Sequence, residues 1–166
     1  MRRIFALSIV SVLSVGCGAE SEAEAASRTA SLETVTASSQ PLPTVLVYKT
    51  PTCGCCNGWI EHIQAAGFTV DARNVSDIMS VKRDGGVPVS MSSCHTSIVD
   101  GYVVEGHVPA DQLKRMLAER PDIAGIAVPG MPTGSPGMEG GNAKPYEVLS
   151  FTREGEAAVY AEIDPR

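Results

Sequence analysis

Apolar positions recur with two different periods along the chain, and each change of period marks an element. Thr44 to Lys49 (TVLVYK) is a β-branched and aromatic run that predicts a buried strand. Thr50-Pro51-Thr52 breaks it. Cys53 to Cys56 then opens a helix running to about Ala66, with Trp59, Ile63 and Ala66 on one face and Gly67 as its stop. From Phe68 to Val75 the period is two, through Phe68, Val70 and Ala72, so a second strand follows. Strand, helix and strand make a βαβ unit, which calls for parallel strands and a right-handed crossover. Ser76 is placed to cap a short helix, Asp77 to Arg83, that Gly85-Gly86 ends. Val87 to Ser93 is irregular. His95 to Val99, Asp100-Gly101 and Tyr102 to Glu105 predict a hairpin with a type I′ turn. Pro109 opens a helix through Arg120, with Leu113, Met116 and Leu117 as its apolar stripe, and Pro121 ends it. Residues 130–141 (GMPTGSPGMEGG) are crowded with Gly and Pro, which excludes helix and interior strand. Tyr146 to Phe151 and Ala157 to Ile163 flank Arg153-Glu154-Gly155 as a final hairpin. No internal repeat is visible.

Strand, helix, strand, helix, hairpin, helix is the thioredoxin order, with the Cys-x-x-Cys pair Cys53 and Cys56 at the first strand-to-helix junction. The expected fold class is therefore α/β. A thioredoxin-like core spans 44–121, and an extension over 122–166 holds the Gly/Pro/Met-rich loop and the C-terminal β-hairpin. Ahead of the core, residues 1–16 read as a signal peptide: Arg2 and Arg3, then an apolar run from Ile4 to Val15 that is short for a bilayer span. Ser14-Val15-Gly16-Cys17 resembles a lipoprotein cleavage site, which would leave Cys17 as a lipid-bearing N-terminus, although a leucine at position 14 would match better. Ordinary cleavage near Ala23-Glu24-Ala25 and a retained anchor stay open. Residues 17–43, rich in Ala, Ser, Glu and Thr, have too little apolar surface to offset their ordering entropy and read as a disordered tether. The expected location is the periplasm, with contact to a membrane only through the N-terminal lipid.

Net charge is −6 with no basic stripe, which excludes nucleic acid as a partner and suits a cationic ligand. The chain has five cysteines. With Cys17 set aside, Cys53, Cys55, Cys56 and Cys94 remain in a chain bound for an oxidising compartment. Two plain disulfides fit poorly, because Cys55 and Cys56 are neighbours. At most one ordinary bridge is expected, within the triplet or to Cys94.

A helix N-terminus offers unpaired N–H groups and partial positive charge, which favour a thiolate. Such a junction serves disulfide exchange or soft-metal binding. Exchange needs only Cys53 and Cys56, the redox pair if there is one, and Cys55 offers it a wrong partner. For a metal the third sulfur is useful, and soft thiolates favour Cu(I), with zinc less favoured. In a thioredoxin fold Ser93 falls where the cis-proline stands beside the active site, so Cys94 and His95 should land next to the motif; Pro88 lies too far upstream for that role. Strand alternation would turn His95 away from Cys94, which makes it the weaker ligand candidate. His62 reads as an ordinary polar helix residue. His107, just before the Val108-Pro109 helix start, is open between ligand and surface residue. Met131 and Met138 are open between soft ligands and passengers in a linker.

YKTPTCGCCNGW, SCHT, DGYVVEGHVP and AVPGMPTGSPGME together resemble the CopG copper-resistance family over about Val45 to Ile163. The resemblance implies a periplasmic thioredoxin-like domain with a C-terminal extension contributing to a cysteine-bridged, multinuclear copper site. It also implies a role in copper redox interconversion during detoxification. On these positions it assigns Cys53, Cys55, Cys56, Cys94, His107, Met131 and Met138 to the metal site. The expected function is a copper-binding protein of resistance and homeostasis that holds Cu(I) and interconverts it with Cu(II) as a copper oxidoreductase. A metal-independent thiol–disulfide oxidoreductase and a passive copper buffer or chaperone are the alternatives. A monomer is expected, with copper ions and a periplasmic efflux or electron-transfer protein as partners.

Overall fold

The computed structural model describes residues 41–166. The signal peptide over 1–16, the lipid site at Cys17 and most of the 17–43 tether lie outside the described residues. The elements run β1 (Val45–Lys49), α1 (Gly54–Ala65), β2 (Val70–Asn74), α2 (Ile78–Asp84), a 3-10 turn (Val89–Met91), β3 (His95–Val99), β4 (Tyr102–Glu105), α3 (Ala110–Glu119), β5 (Gly125–Ala127), β6 (Tyr146–Phe151) and β7 (Ala157–Ile163). They build one seven-stranded sheet in the order β2-β1-β3-β4-β5-β6-β7. β1 pairs β2 in parallel, and β3 lies antiparallel between β1 and β4. This is a thioredoxin-like α/β arrangement.

The local reasons are those of the pattern. Val45, Val47 and Lys49 of β1 are buried in alternation. Trp59 and Ile63 of α1, Leu113 and Met116 of α3, and Val104, Ile126 and Val148 of the sheet join Val45 and Val47 in one core. Asp100 and Gly101 take φ of 48° and 86°, the positive pair that a type I′ turn needs.

Three details depart from expectation. Asp77, not Ser76, caps α2: its carboxylate accepts the Ser80 N–H at 3.1 Å. Ala72 is exposed, because β2 is an edge strand in which only Val70 is even partly buried. Leu42, drawn within the tether, packs on the core. The extension is continuous with the core sheet, because β5 pairs β4 in parallel and receives β6 on its other side. Everything after α3 is thereby fixed relative to the β1–α1 junction.

Candidate metal centre

The β1–α1 junction delivers the first three sulfurs. The Cys53 N–H donates to the Thr50 carbonyl at 3.2 Å, a tight turn that leaves Cys53 as the N-terminal cap of α1 with no side-chain capping bond. The free N–H groups of the first helical turn therefore sit among the cysteines. Cys53 and Cys56 form a disulfide, while Cys55 and Cys94 are free thiols. The Cys55 Sγ lies 3.6 Å from Cys53 Sγ and 4.0 Å from Cys94 Sγ. All four sulfurs fall within 4.8 Å of one another. Cys94 reaches them from the bend that precedes β3.

A second group shares Cys94. Its Sγ lies 2.8 Å from His107 Nε2 and 3.4 Å from His95 Nδ1. The expectation that His95 faces away fails because β3 starts at His95, so no strand alternation applies between it and Cys94. His95 is fully buried, with its ring 4.4 Å from that of Trp59 and 5.1 Å from that of His107, and its Nε2 has no partner among the described residues. The His107 Nδ1 is 2.6 Å from the Pro136 carbonyl. That contact assigns the proton to Nδ1 and the lone pair to Nε2, where the Cys94 S–H donates. Burial, followed by the neighbouring Cys55, pushes the Cys94 thiol up to about 12. Burial also lowers His107, and lowers His95 well below the usual imidazole range. Both shifts favour the uncharged forms of Cys94 and His107 in the metal-free chain.

The Gly/Pro loop covers this centre and is not a slack linker. Gly134 N–H donates to Met138 O at 2.9 Å, Met138 N–H to Ser135 O at 2.8 Å, and Ser135 Oγ to Pro132 O at 2.7 Å. Gly137 lies directly on the first turn of α1, where a Cβ would stand 2.5 Å from Trp59 N and 2.8 Å from Cys55 O. The loop carries Met131 Sδ to 3.9 Å from Cys55 Sγ, with Met131 51% exposed. Met138 makes no such contact with a cysteine sulfur among the described residues. His62 stands apart: its Nε2 accepts the Ala110 N–H at 3.0 Å, at the start of α3, a structural bond.

Sequence reasoning missed one neighbour, the buried pair Lys82 and Glu105 behind Cys94. Its only trace in the sequence is a charged residue closing an apolar strand, Tyr102 to Glu105.

A pH prediction follows from the histidines. Burial lowers His62, His95 and His107 from 6.5. Below that value the unfolded chain takes up protons that the folded chain refuses. Their contribution is therefore complete above the unfolded value and lost as pH falls beneath it. The thermal midpoint of the metal-free chain should drop between about pH 7 and pH 5.5, above the main carboxylate range. A flat midpoint across that window would contradict the burial.

Two thiols, a thioether and two imidazoles, with two further sulfurs available on reduction, form a soft donor set that fits Cu(I). Zinc accepts thiolate and imidazole but not readily the thioether. The family described as "Protein of unknown function, DUF411" matches residues 91–138. Two solved structures match over most of the fold. "Copper resistance protein copG- Form 2" is 49% identical with a TM-score of 0.71, covering 75% of this chain and 100% of that chain. "Copper resistance protein copG- Form 1" is 50% identical with a TM-score of 0.70, covering 75% of this chain and 98% of that chain. The chain belongs to the CopG copper-resistance family. No curated protein sequence matches it significantly. The matched segment 91–138 of this CopG-family chain contains Cys94, His95, His107, Met131 and Met138, whereas the Cys-x-Cys-Cys turn lies before it. The fold brings the two stretches together.

Proposed function

We propose that this CopG-family chain is a copper-binding protein of copper resistance. It holds Cu(I) on Cys53, Cys55, Cys56 and Cys94, with buried His107 on the inner side and Met131 at the rim, and interconverts Cu(I) and Cu(II). The observation that carries the reading is the position of Cys94: a sulfur 39 residues from Cys55 stands 4.0 Å from it. His95 and Met138 are secondary candidates, the first for its unpartnered Nε2 and the second for its place in the covering loop.

The donor set depends on redox state. With Cys53 and Cys56 joined, only Cys55 and Cys94 among the described residues offer thiols. An external two-electron reductant, with two protons, opens the bridge and raises the count to four. In the reverse direction, the Cys53–Cys56 dithiol gives one electron to each of two Cu(II) ions. A disulfide, two Cu(I) ions and two protons result. Protons also compete at Cys94, which must lose its own before it binds.

The disulfide at the thioredoxin position supports a second reading, a metal-independent thiol–disulfide oxidoreductase. Metal analysis of reduced, anaerobically purified protein separates the two. Copper bound to the chain is expected, whereas zinc alone, or no metal, would defeat the copper reading. A passive buffer would hold the same Cu(I) without turnover, so following copper valence after exposure to oxygen distinguishes buffering from interconversion.

The same proposal places the chain in the periplasm, tied to a membrane through lipid on Cys17, where an efflux or electron-transfer protein would receive the copper. The support is the sequence over positions 1–17. Cys17→Ser should shift the chain from the membrane fraction to the soluble one. Unchanged membrane association would count against the lipid.

A further inference from the structure

Behind the copper-facing surface lies a polar group that the proposed chemistry does not use. Glu105 is fully buried and Lys82 is 3% exposed, with Lys82 Nζ 2.5 Å from Glu105 Oε1. The same Oε1 accepts the backbone N–H of Ser93 at 2.6 Å, and Oε2 accepts the Thr96 hydroxyl at 2.7 Å. Lys82 Nζ donates to Thr96 Oγ1 at 3.1 Å, closing the network. Every partner of this carboxylate is accounted for.

We propose that Glu105 is the positioning residue of the Cys94 half of the site, fixing the Ser93–Cys94 backbone through the Ser93 N–H.

Stability alone gives little reason for the network. A buried ion pair costs desolvation that its attraction roughly repays, and an apolar pair of similar volume often does as well. Geometry gives a better reason. The Ser93 backbone carries its N–H into this part-buried bend. That donor must find an acceptor or cost free energy. Glu105 supplies that acceptor from the end of β4, two positions before His107. One carboxylate thus ties the strand that leads to His107 to the bend that presents Cys94. Two further bonds hold the same bend from the loop side: Gly130 N–H donates to Ser92 O at 3.1 Å, and Ser93 Oγ donates to Gly130 O. The Thr96 bond fixes β3 just beyond His95. Lys82, held by α2, compensates the charge.

The consequence for copper rests on the function proposed above, but the positioning itself can be read without metal. Two paired variants separate hydrogen bonding from charge. Glu105→Gln with Lys82→Met removes both charges and keeps an acceptor for Ser93. Glu105→Leu with Lys82→Met removes the acceptor and keeps apolar packing. The readouts are the alkylation rate of Cys94 relative to Cys55 in reduced, metal-free protein, by peptide mass spectrometry, and Cu(I) retained per chain against a competing chelator.

The glutamine pair should stay within about twofold of wild type in both. The leucine pair should change the Cys94-to-Cys55 ratio by about fivefold or more and retain less Cu(I). A ratio within about twofold of wild type in a folded leucine pair overturns the proposal. Equal change in both pairs also overturns it, because charge and not the Ser93 bond would then be responsible. If the leucine pair does not fold, amide hydrogen exchange in wild type decides. A Ser93 N–H protected like the β3 amides supports the bond, and one exchanging like a loop amide overturns it. If wild type binds no copper while the alkylation ratios behave as stated, the copper reading fails and the positioning stands.

Discussion

Gly137→Ala should lower the unfolding free energy of the metal-free chain by about 2–4 kcal/mol and loosen the cover over the cysteines. Gly137 has φ of 80°, a conformation that alanine adopts at a cost. The added Cβ would stand 2.5 Å from Trp59 N, 2.8 Å from Cys55 O and 3.0 Å from Gly58 C. All three are backbone atoms of the first turns of α1, so no flexible side chain can move aside. The loop must lift instead. Lifting it withdraws the Pro136 carbonyl from His107 and carries Met131 away from Cys55. The His107 proton is then free to move to Nε2, which would cost the Cys94 side its lone pair. Denaturant melts provide the stability readout, and imidazole NMR the tautomer. A loss below about 0.5 kcal/mol would mean that the loop does not rest on the helix.

The other large effect concerns Cys55. Cys55→Ser should weaken Cu(I) retention by on the order of a hundredfold or more, because a soft thiolate at the middle of the donor set becomes a hard, protonated hydroxyl. Cys55 is half-buried and outside the core clusters, so its conversion to a near-isostere should leave folding intact. Its sulfur is the hub of the site, 3.6 Å from Cys53, 4.0 Å from Cys94 and 3.9 Å from Met131. The same variant separates the two functional readings. A thiol–disulfide oxidoreductase working through Cys53 and Cys56 would keep full activity on a disulfide substrate without Cys55. Undiminished copper retention in the serine variant would remove the main reason to prefer a metal role.

Much of the fold was legible because its signals are local. Asp100-Gly101 specifies a type I′ turn by its need for positive φ, so the bounds of β3 and β4 match those expected from the turn. The β6–β7 hairpin is bounded in the same way by Arg153-Glu154-Gly155. β5 was not legible. Gly125-Ile126-Ala127 is buried on both faces and only three residues long, so it carries no period. It nonetheless joins the extension to the core sheet.

The site divides along the same line. The Cys-x-Cys-Cys turn is a contiguous motif at a junction that the periodicity locates. His95 was misjudged because alternation was carried one residue too far, to a position where the chain is still a bend. Glu105 and Lys82 were missed because their relation spans 23 residues and exists only once α2 packs against β3. Met131 and Met138 look alike in sequence, and loop geometry alone brings Met131 to the thiols.

Copper counted per chain, in reduced wild type beside Cys94→Ala, bears most directly on the claim that two distant stretches of sequence form one metal centre. With the bend thiol gone, the variant should keep no more than about half of the wild-type copper, the remainder being held by the helix-start triplet. Equal counts in the two proteins would show that the Cys94 sulfur plays no part in holding the ion.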